Sequence, residues 1–264
     1  MSRRYDAKTT TFSPEGRLYQ VEYAMEAVGQ AGTCLGILAK DGIVIVAEKK
    51  NQHKLLDTNP SVAEKIYRID DHLAVGIAGI TSDANALISQ LRLIAQQHRL
   101  VYQNPMPVEQ LVRRMADNKQ YFTMHGGVRP YGVSILYCGW DKHLGFQLYQ
   151  GDPSGNYGGW KATCIGGSSQ SATSMLEQDY DESMDLEKAI NLAMSIFLKT
   201  LDTQTLNAEK IEVSLIKRVN GTVQYTVMKP TDVNKYCKKA EEEKKKKAEE
   251  EEKKRKEKAA SSKK

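Results

Sequence analysis

Thr33-Cys34-Leu35-Gly36-Ile37-Leu38-Ala39 is followed, across Lys40-Asp41-Gly42, by Ile43-Val44-Ile45-Val46-Ala47. Two apolar runs rich in β-branched residues, joined by an Asp-Gly turn, read as a β-hairpin. Neither run alternates apolar with polar residues. A strand that is apolar throughout belongs to a sheet covered on both faces, so this hairpin predicts a buried, multi-layered sheet.

Upstream, Ser13-Pro14-Glu15-Gly16 marks a turn, and the spacing of Tyr19, Tyr23 and Ala27 predicts a short helix over Tyr19–Val28, ended by Gly29. Downstream, Ile66–Ile69 and Leu73–Ala78 read as a second strand pair turning at Asp70-Asp71. Ser82 is the expected N-cap of a helix to about Gln103, with Leu87, Leu91 and Ile94 on one face. After Pro105-Met106-Pro107 comes a second helix, striped by Val108, Leu111, Val112, Met115 and Ala116 and ending near Gly126-Gly127. These stripes read as core packing.

The pattern then repeats. Val133–Cys138 and Phe146–Tyr149 form an expected hairpin over Trp140–His143, Asp152-Pro153-Ser154-Gly155 a turn, and Lys161–Ile165 a strand. Ser168–Tyr180 and a helix capped by Asp185 follow, and Ile211–Ile216 and Val223–Val227 close a hairpin at Asn220-Gly221. Strands in antiparallel pairs alternating with helices in pairs predict two stacked sheets flanked by helix layers, an α+β arrangement. The strict strand–helix–strand alternation of a doubly wound sheet is absent.

The chain has 264 residues and a net charge of +5, and the whole excess lies in residues 238–264, which hold 13 Lys/Arg against 8 Glu. The body is therefore neutral, which counts against nucleic acid as a partner, because phosphate binding needs a basic face. In the tail, seven glutamates have a Lys or Arg four residues later, each pair worth roughly 0.2–0.5 kcal/mol to an exposed helix. With no apolar stripe, the tail is expected to be solvated. Nuclear import, partner contact or RNA binding through Lys253–Lys258 is the lesser reading. Pro230 starts the helix that leads into it.

No run of 18 apolar residues predicts a membrane span. The amino terminus has no apolar core of a secretory signal, and Ser2 excludes N-myristoylation. The cysteines Cys34, Cys138, Cys164 and Cys237 lack any paired spacing and read as reduced thiols of a cytoplasmic or nuclear protein. Phosphate-loop, dinucleotide, zinc-protease and nucleophile-elbow motifs are missing, the five histidines show no metal spacing, and no cofactor is expected.

Tyr5-Asp6, then Phe12-Ser13-Pro14-Glu15-Gly16-Arg17-Leu18, then Gln20-Val21-Glu22-Tyr23-Ala24 resembles the signature of α-type subunits of the 20S proteasome. The similarity continues through Glu64-Lys65-Ile66, Gly79–Ala84, Arg129–Ser134 and Asp152–Gly155, and covers about residues 1–235. Where many of these subunits carry arginine after Tyr-Asp, this chain has Ala7. The resemblance implies a four-layer αββα sandwich of the N-terminal-nucleophile hydrolase type. It implies a gating arm over residues 1–12, a domain over 13–237 and the charged tail beyond. Tyr5, Asp6 and Pro14 would serve the gate. Lys65, with Leu18 nearby, would form a pocket for the carboxyl terminus of an activator chain. The implied partners are other α subunits in a seven-membered ring, β subunits and the ATPase tails of a regulatory particle, with no membrane.

The resemblance also raises catalysis, because catalytic relatives use a threonine freed by cleavage of a Gly-Thr bond. Here Gly32-Thr33 precedes the first strand, Glu48 ends the second and Lys65 precedes the third. A threonine hydroxyl needs a base. In the family that base is the free α-amino group, which titrates at about 7.7–8.0. In an uncut chain the nitrogen of Thr33 is an amide, so a non-catalytic structural and gating subunit is expected. The alternative is an active threonine peptidase after cleavage before Thr33.

Overall fold

The computed structural model describes residues 7–49, 55, 65–201, 208–242 and 244. Helix α1 (Tyr19–Gly29) leads into strands β1 (Cys34–Ala39), β2 (Gly42–Glu48), β3 (Ile66–Asp70) and β4 (Leu73–Gly79). Helices α2 (Thr81–Tyr102) and α3 (Val108–Met124) follow, then β5 (Val133–Asp141), β6 (Gly145–Gly151), β7 (Tyr157–Gly159) and β8 (Ala162–Ile165). Helices α4 (Ser169–Asp179) and α5 (Leu186–Thr200) precede β9 (Ile211–Val219) and β10 (Thr222–Val227), and residues 230–242 form a last helix, α6.

The strands make two five-stranded sheets, ordered β10-β9-β2-β1-β8 and β3-β4-β5-β6-β7, with every neighbouring pair antiparallel. One apolar cluster joins α4, α5 and α6 to the first sheet, and a second joins α2 and α3 to the other. A third lies between the sheets and includes Cys34, Ile43, Ile45, Leu136, Cys138 and Leu148. This is the four-layer αββα sandwich, and the opening hairpin sits at its centre, which is why both strands are apolar on both faces. The sheets approach closely. A Cβ on Gly76 would lie 2.5 Å from the Cys34 sulfur, and one on Gly36 would lie 3.0 Å from Leu148 Cδ1.

All four cysteines are free and buried. Burial pushes the Cys34 thiol up to about 12 and that of Cys237 up to about 11, and also raises those of Cys138 and Cys164 well above the ordinary range. Among the described residues, no helix is long and apolar enough to cross a membrane.

Several elements differ from the sequence expectation. Ser82 lies inside α2, whose N-cap is Ile80, without a side-chain cap. The preceding β4–α2 junction is held instead by Asp83. Its carboxylate accepts from Arg129 Nη1 and Nη2 at 2.6 and 2.8 Å and from Gly132 N at 3.1 Å. The guanidinium, with help from the Gly132 amide, holds the Asp83 carboxyl below the usual range despite its burial. The β5–β6 hairpin turns later than expected, over Lys142–Leu144, because Trp140 and Asp141 remain paired with Phe146 and Gly145. Strand β7 is absent from the sequence reading, its Tyr-Gly-Gly carrying no apolar alternation. Helix α6 starts at Pro230 and runs into the tail, as the sequence led us to expect. Val233, Cys237 and Ala240 fall on one face, and Ala240 is only 5% exposed. Residues 243 and 245–264 of the tail, and the expected gate residues Tyr5 and Asp6, lie outside the described residues.

The buried stripe of α3 runs beyond Ala116 to Lys119 and Thr123. Lys119 is 1% exposed, and its Nζ donates to Val133 O at 2.8 Å and Asp152 O at 2.9 Å. The ammonium thereby ties α3 to the start of β5 and to the β6–β7 turn. That turn comes so close that a Cβ on Gly155 would lie 2.7 Å from Ala116 O. Burial lowers the Lys119 pKa to about 7. Unfolded lysines titrate near 10.4, so the unfolded chain binds more protons and this group makes stability rise between about pH 7 and pH 10. We expect Lys119→Met to cost on the order of 2 kcal/mol, from the loss of the two hydrogen bonds that the buried ammonium donates. The stability gap between wild type and variant should widen from pH 7 to pH 9 in urea unfolding; parallel pH profiles would contradict the assignment.

Candidate functional site

Three segments far apart in sequence converge where α1 enters the first sheet. The helix ends at Gly29, and Ala31 N donates to Val28 O at 3.0 Å, carrying the chain out in a tight turn. Gly167, following β8, donates its amide to Ala31 O at 3.0 Å. A Cβ on Gly166 would fall 2.6 Å from Gly32 O, so the two backbones pack with no room for side chains. Gly166 also has φ +98, a conformation that favours glycine.

At this crossing lie Gly32, Thr33, Glu48 and Lys65. Thr33 is 1% exposed. Its amide N–H donates to Glu48 Oε2 at 2.9 Å, and its carbonyl accepts from Glu48 N at 2.8 Å. The Lys65 ammonium donates to Gly32 O at 2.5 Å, and Lys65 N donates to Glu212 Oε2 at 3.2 Å. A Cβ on Gly32 would sit 2.9 Å from Lys65 Nζ and 3.2 Å from Glu48 Oε2, so glycine is what admits both charged groups to one peptide.

The sequence brought acid, lysine and threonine to roughly the right places, and the structure sets the acid on the Thr33 amide and the lysine on the Gly32 carbonyl of the same peptide. Chemically the assembly is closed. Both polar groups of the Gly32–Thr33 peptide are occupied, one by a carboxylate and one by an ammonium. An amide nitrogen already donating to Glu48 offers no basic lone pair, and buried Thr33 cannot meet an external peptide. Sequence reasoning missed Glu212, which is buried and bonds the Lys65 backbone. It also gave Gly166-Gly167 no role, although that doublet was visible.

The amino-terminal approach is equally defined from Ala7 onward. Ser13 N donates to Arg17 O at 2.9 Å and Gly16 N to Ser13 O at 2.9 Å, with Gly16 at φ +76, closing the expected turn with Pro14 exposed on it. Leu18 is the half-buried N-cap of α1, its carbonyl accepting from Val21 N and Glu22 N. Arg17 Nε reaches Glu22 at 2.5 Å. Helix α1 buries Val21, Ala24 and Val28 and leaves Tyr23 and Met25 exposed.

Residues 5–27 match the family model of the N-terminal signature of A-type proteasome subunits, and residues 28–216 match that of the proteasome subunit itself. The chain belongs to the α-type subunits of the proteasome. Its relatives include the proteasome alpha type-4-1 subunit of Oryza sativa subsp. indica, 57% identical over 242 residues, covering 91% of this chain and 96% of the relative. The proteasome alpha type-4 subunit of Spinacia oleracea is 56% identical over 236 residues, covering 89% and 94%. The proteasome alpha type-4-A subunit of Arabidopsis thaliana is 55% identical over 240 residues, covering 90% and 96%.

As an α-type subunit the chain is a non-catalytic, structural member of the proteasome core and assembles with other proteasome subunits. The closed Gly32–Thr33 peptide supplies a physical reason for its inactivity. A cavity of about 950 Å³ opens elsewhere, between the α2–α3 linker and the β5–β6 and β9–β10 turns. Thr33, Glu48 and Lys65 are not among its lining residues. Among the described residues no cluster of His, Cys, Asp or Glu could hold a metal.

The closed peptide sets an expected outcome. The purified full-length chain should cleave no fluorogenic peptide, intact mass should show no species beginning at Thr33, and Thr33→Ala should leave the peptidase activity of assembled particles unchanged. A large loss in correctly assembled particles would assign Thr33 a chemical role.

Proposed function

We propose that this subunit gates the outer α ring of the 20S core, a seven-membered ring that controls substrate entry in ubiquitin-dependent protein degradation. In this reading it contacts neighbouring α subunits and β subunits and docks the ATPase tails of a regulatory particle, in the cytoplasm and nucleus. Residues 1–12 cover the pore, with Tyr5, Asp6 and Pro14 as the gate residues, and α1 forms the entrance. The reading is carried by one observation: the Lys65 ammonium touches the backbone where α1 joins the sheets. A terminal carboxylate arriving there would form a charge-assisted hydrogen bond with Lys65. It would do so at the root of the helix bearing the arm, and Leu18 at the head of that helix completes the activator site.

Two measurements on assembled particles test it. Deleting residues 2–9 should raise basal peptide hydrolysis without changing cleavage preference, since no catalytic subunit is touched; an unchanged basal rate would remove this arm from the gate. Lys65→Ala should preserve assembly and weaken tail-peptide binding at this pocket by about 1.5–3 kcal/mol, the usual worth of a hydrogen bond to a charged group. Equal affinity would return Lys65 to a purely structural role on Gly32.

A further inference from the structure

Residues 7–12 form an irregular strap without a regular element, and Ala7, Lys8, Thr10 and Phe12 are exposed. Among the described residues, one hydrogen bond fastens this strap to the body: Thr9 Oγ1 donates to His125 O at 3.4 Å. His125 is the C-cap of α3. Its ring stacks on Tyr121 at 3.7 Å between centroids, and Nδ1 meets Tyr121 O at 2.8 Å, so the receiving carbonyl sits on a fixed platform.

Chemically this is a threonine hydroxyl placed as a donor against a backbone carbonyl just past the end of α3, where His125 has already turned to extended backbone. A backbone carbonyl oxygen carries partial negative charge and can only accept. A hydroxyl proton is welcome there. A phosphate, with a charge of about −1.5 to −2 and acceptor oxygens only, is repelled. Thr9 is half-buried, its neighbours Lys8 and Thr10 are exposed, and Arg3, Arg4 and Lys8 put positive charge just upstream.

We propose that Thr9 is a phosphorylation site whose modification unlatches the amino-terminal strap. A protein kinase would transfer the γ-phosphoryl group of a nucleoside triphosphate to Thr9 Oγ1. The new P–O bond forms as the bond to the departing diphosphate breaks, and the hydroxyl proton passes to the kinase's base. The modified oxygen has lost its donor and faces the His125 carbonyl with charge of like sign. Coupling to substrate entry rests on the gating reading above, whereas the latch itself does not.

The test uses assembled particles carrying wild type, Thr9→Val, Thr9→Ser, Thr10→Val, or phosphothreonine placed at position 9, with amide hydrogen exchange of residues 7–12 and basal peptide hydrolysis read together. Thr9→Val should speed exchange by about two- to tenfold, the scale of one neutral hydrogen bond, and phosphothreonine should speed it at least as much. Thr9→Ser, which keeps the donor, and Thr10→Val should match wild type. Wild-type exchange in the phosphothreonine particle, as would follow if Lys8 captured the phosphate and held the strap, overturns the proposal, as does wild-type exchange in Thr9→Val. Faster exchange with unchanged hydrolysis supports the latch and overturns the gating reading instead.

Discussion

The peptide between Gly32 and Thr33 is the joint on which the molecule turns. A carboxylate holds its N–H and an ammonium holds its C=O, each from a different strand end of a different sheet. Charge-assisted bonds are stronger than neutral ones, and with Thr33 almost fully buried they are little screened. The joint therefore orients the entry of β1 and silences the nucleophile position in one arrangement. Freeing Thr33 would break the covalent link to α1 and remove both hydrogen bonds to the peptide.

The layered fold was legible because the hydrophobic pattern is strong where the layers are thick. The opening hairpin is apolar on both faces since it lies between a helix layer and the second sheet. The turn residues were equally plain: Asn220 and Gly221 both take positive φ, as a tight hairpin requires. Asp185 caps α5 by accepting from Lys188 N. By contrast, β7 pairs only with the edge of β6 and has little apolar surface to bury, so no periodicity announces it. The start of α2 was misread for another reason. Ser82 has the chemistry of a cap, but Asp83 is drawn to Arg129, 46 residues on, and the helix begins around that contact.

The site was legible in part. Spacing placed Thr33, Glu48 and Lys65 at strand ends, and strand ends at one edge of a sandwich meet. What the spacing could not carry was the close approach of Gly166 and Gly167, which depends on how β8 is stacked beside β1. Lys119 was hidden because a lysine at a stripe position reads as the end of the stripe. It is buried only because two backbone carbonyls from distant segments point at one spot. The last helix was expected to run into the tail, but nothing in the charge pattern there announced that Ala240 would be buried.

The thiols give the interior a chemical memory. A cysteine reacts as its thiolate, and all four here are sealed from water with their protons held more tightly than in a free thiol. Cys34 is pinned further by the facing glycine of the other sheet, so no alkylating agent or peroxide can approach it while the layers stay together. Oxidative damage to this subunit is thus gated by opening of the sandwich. A sulfenate or alkylated thiol found at Cys34 or Cys138, which lie between the sheets, would be a record that the sheets had parted.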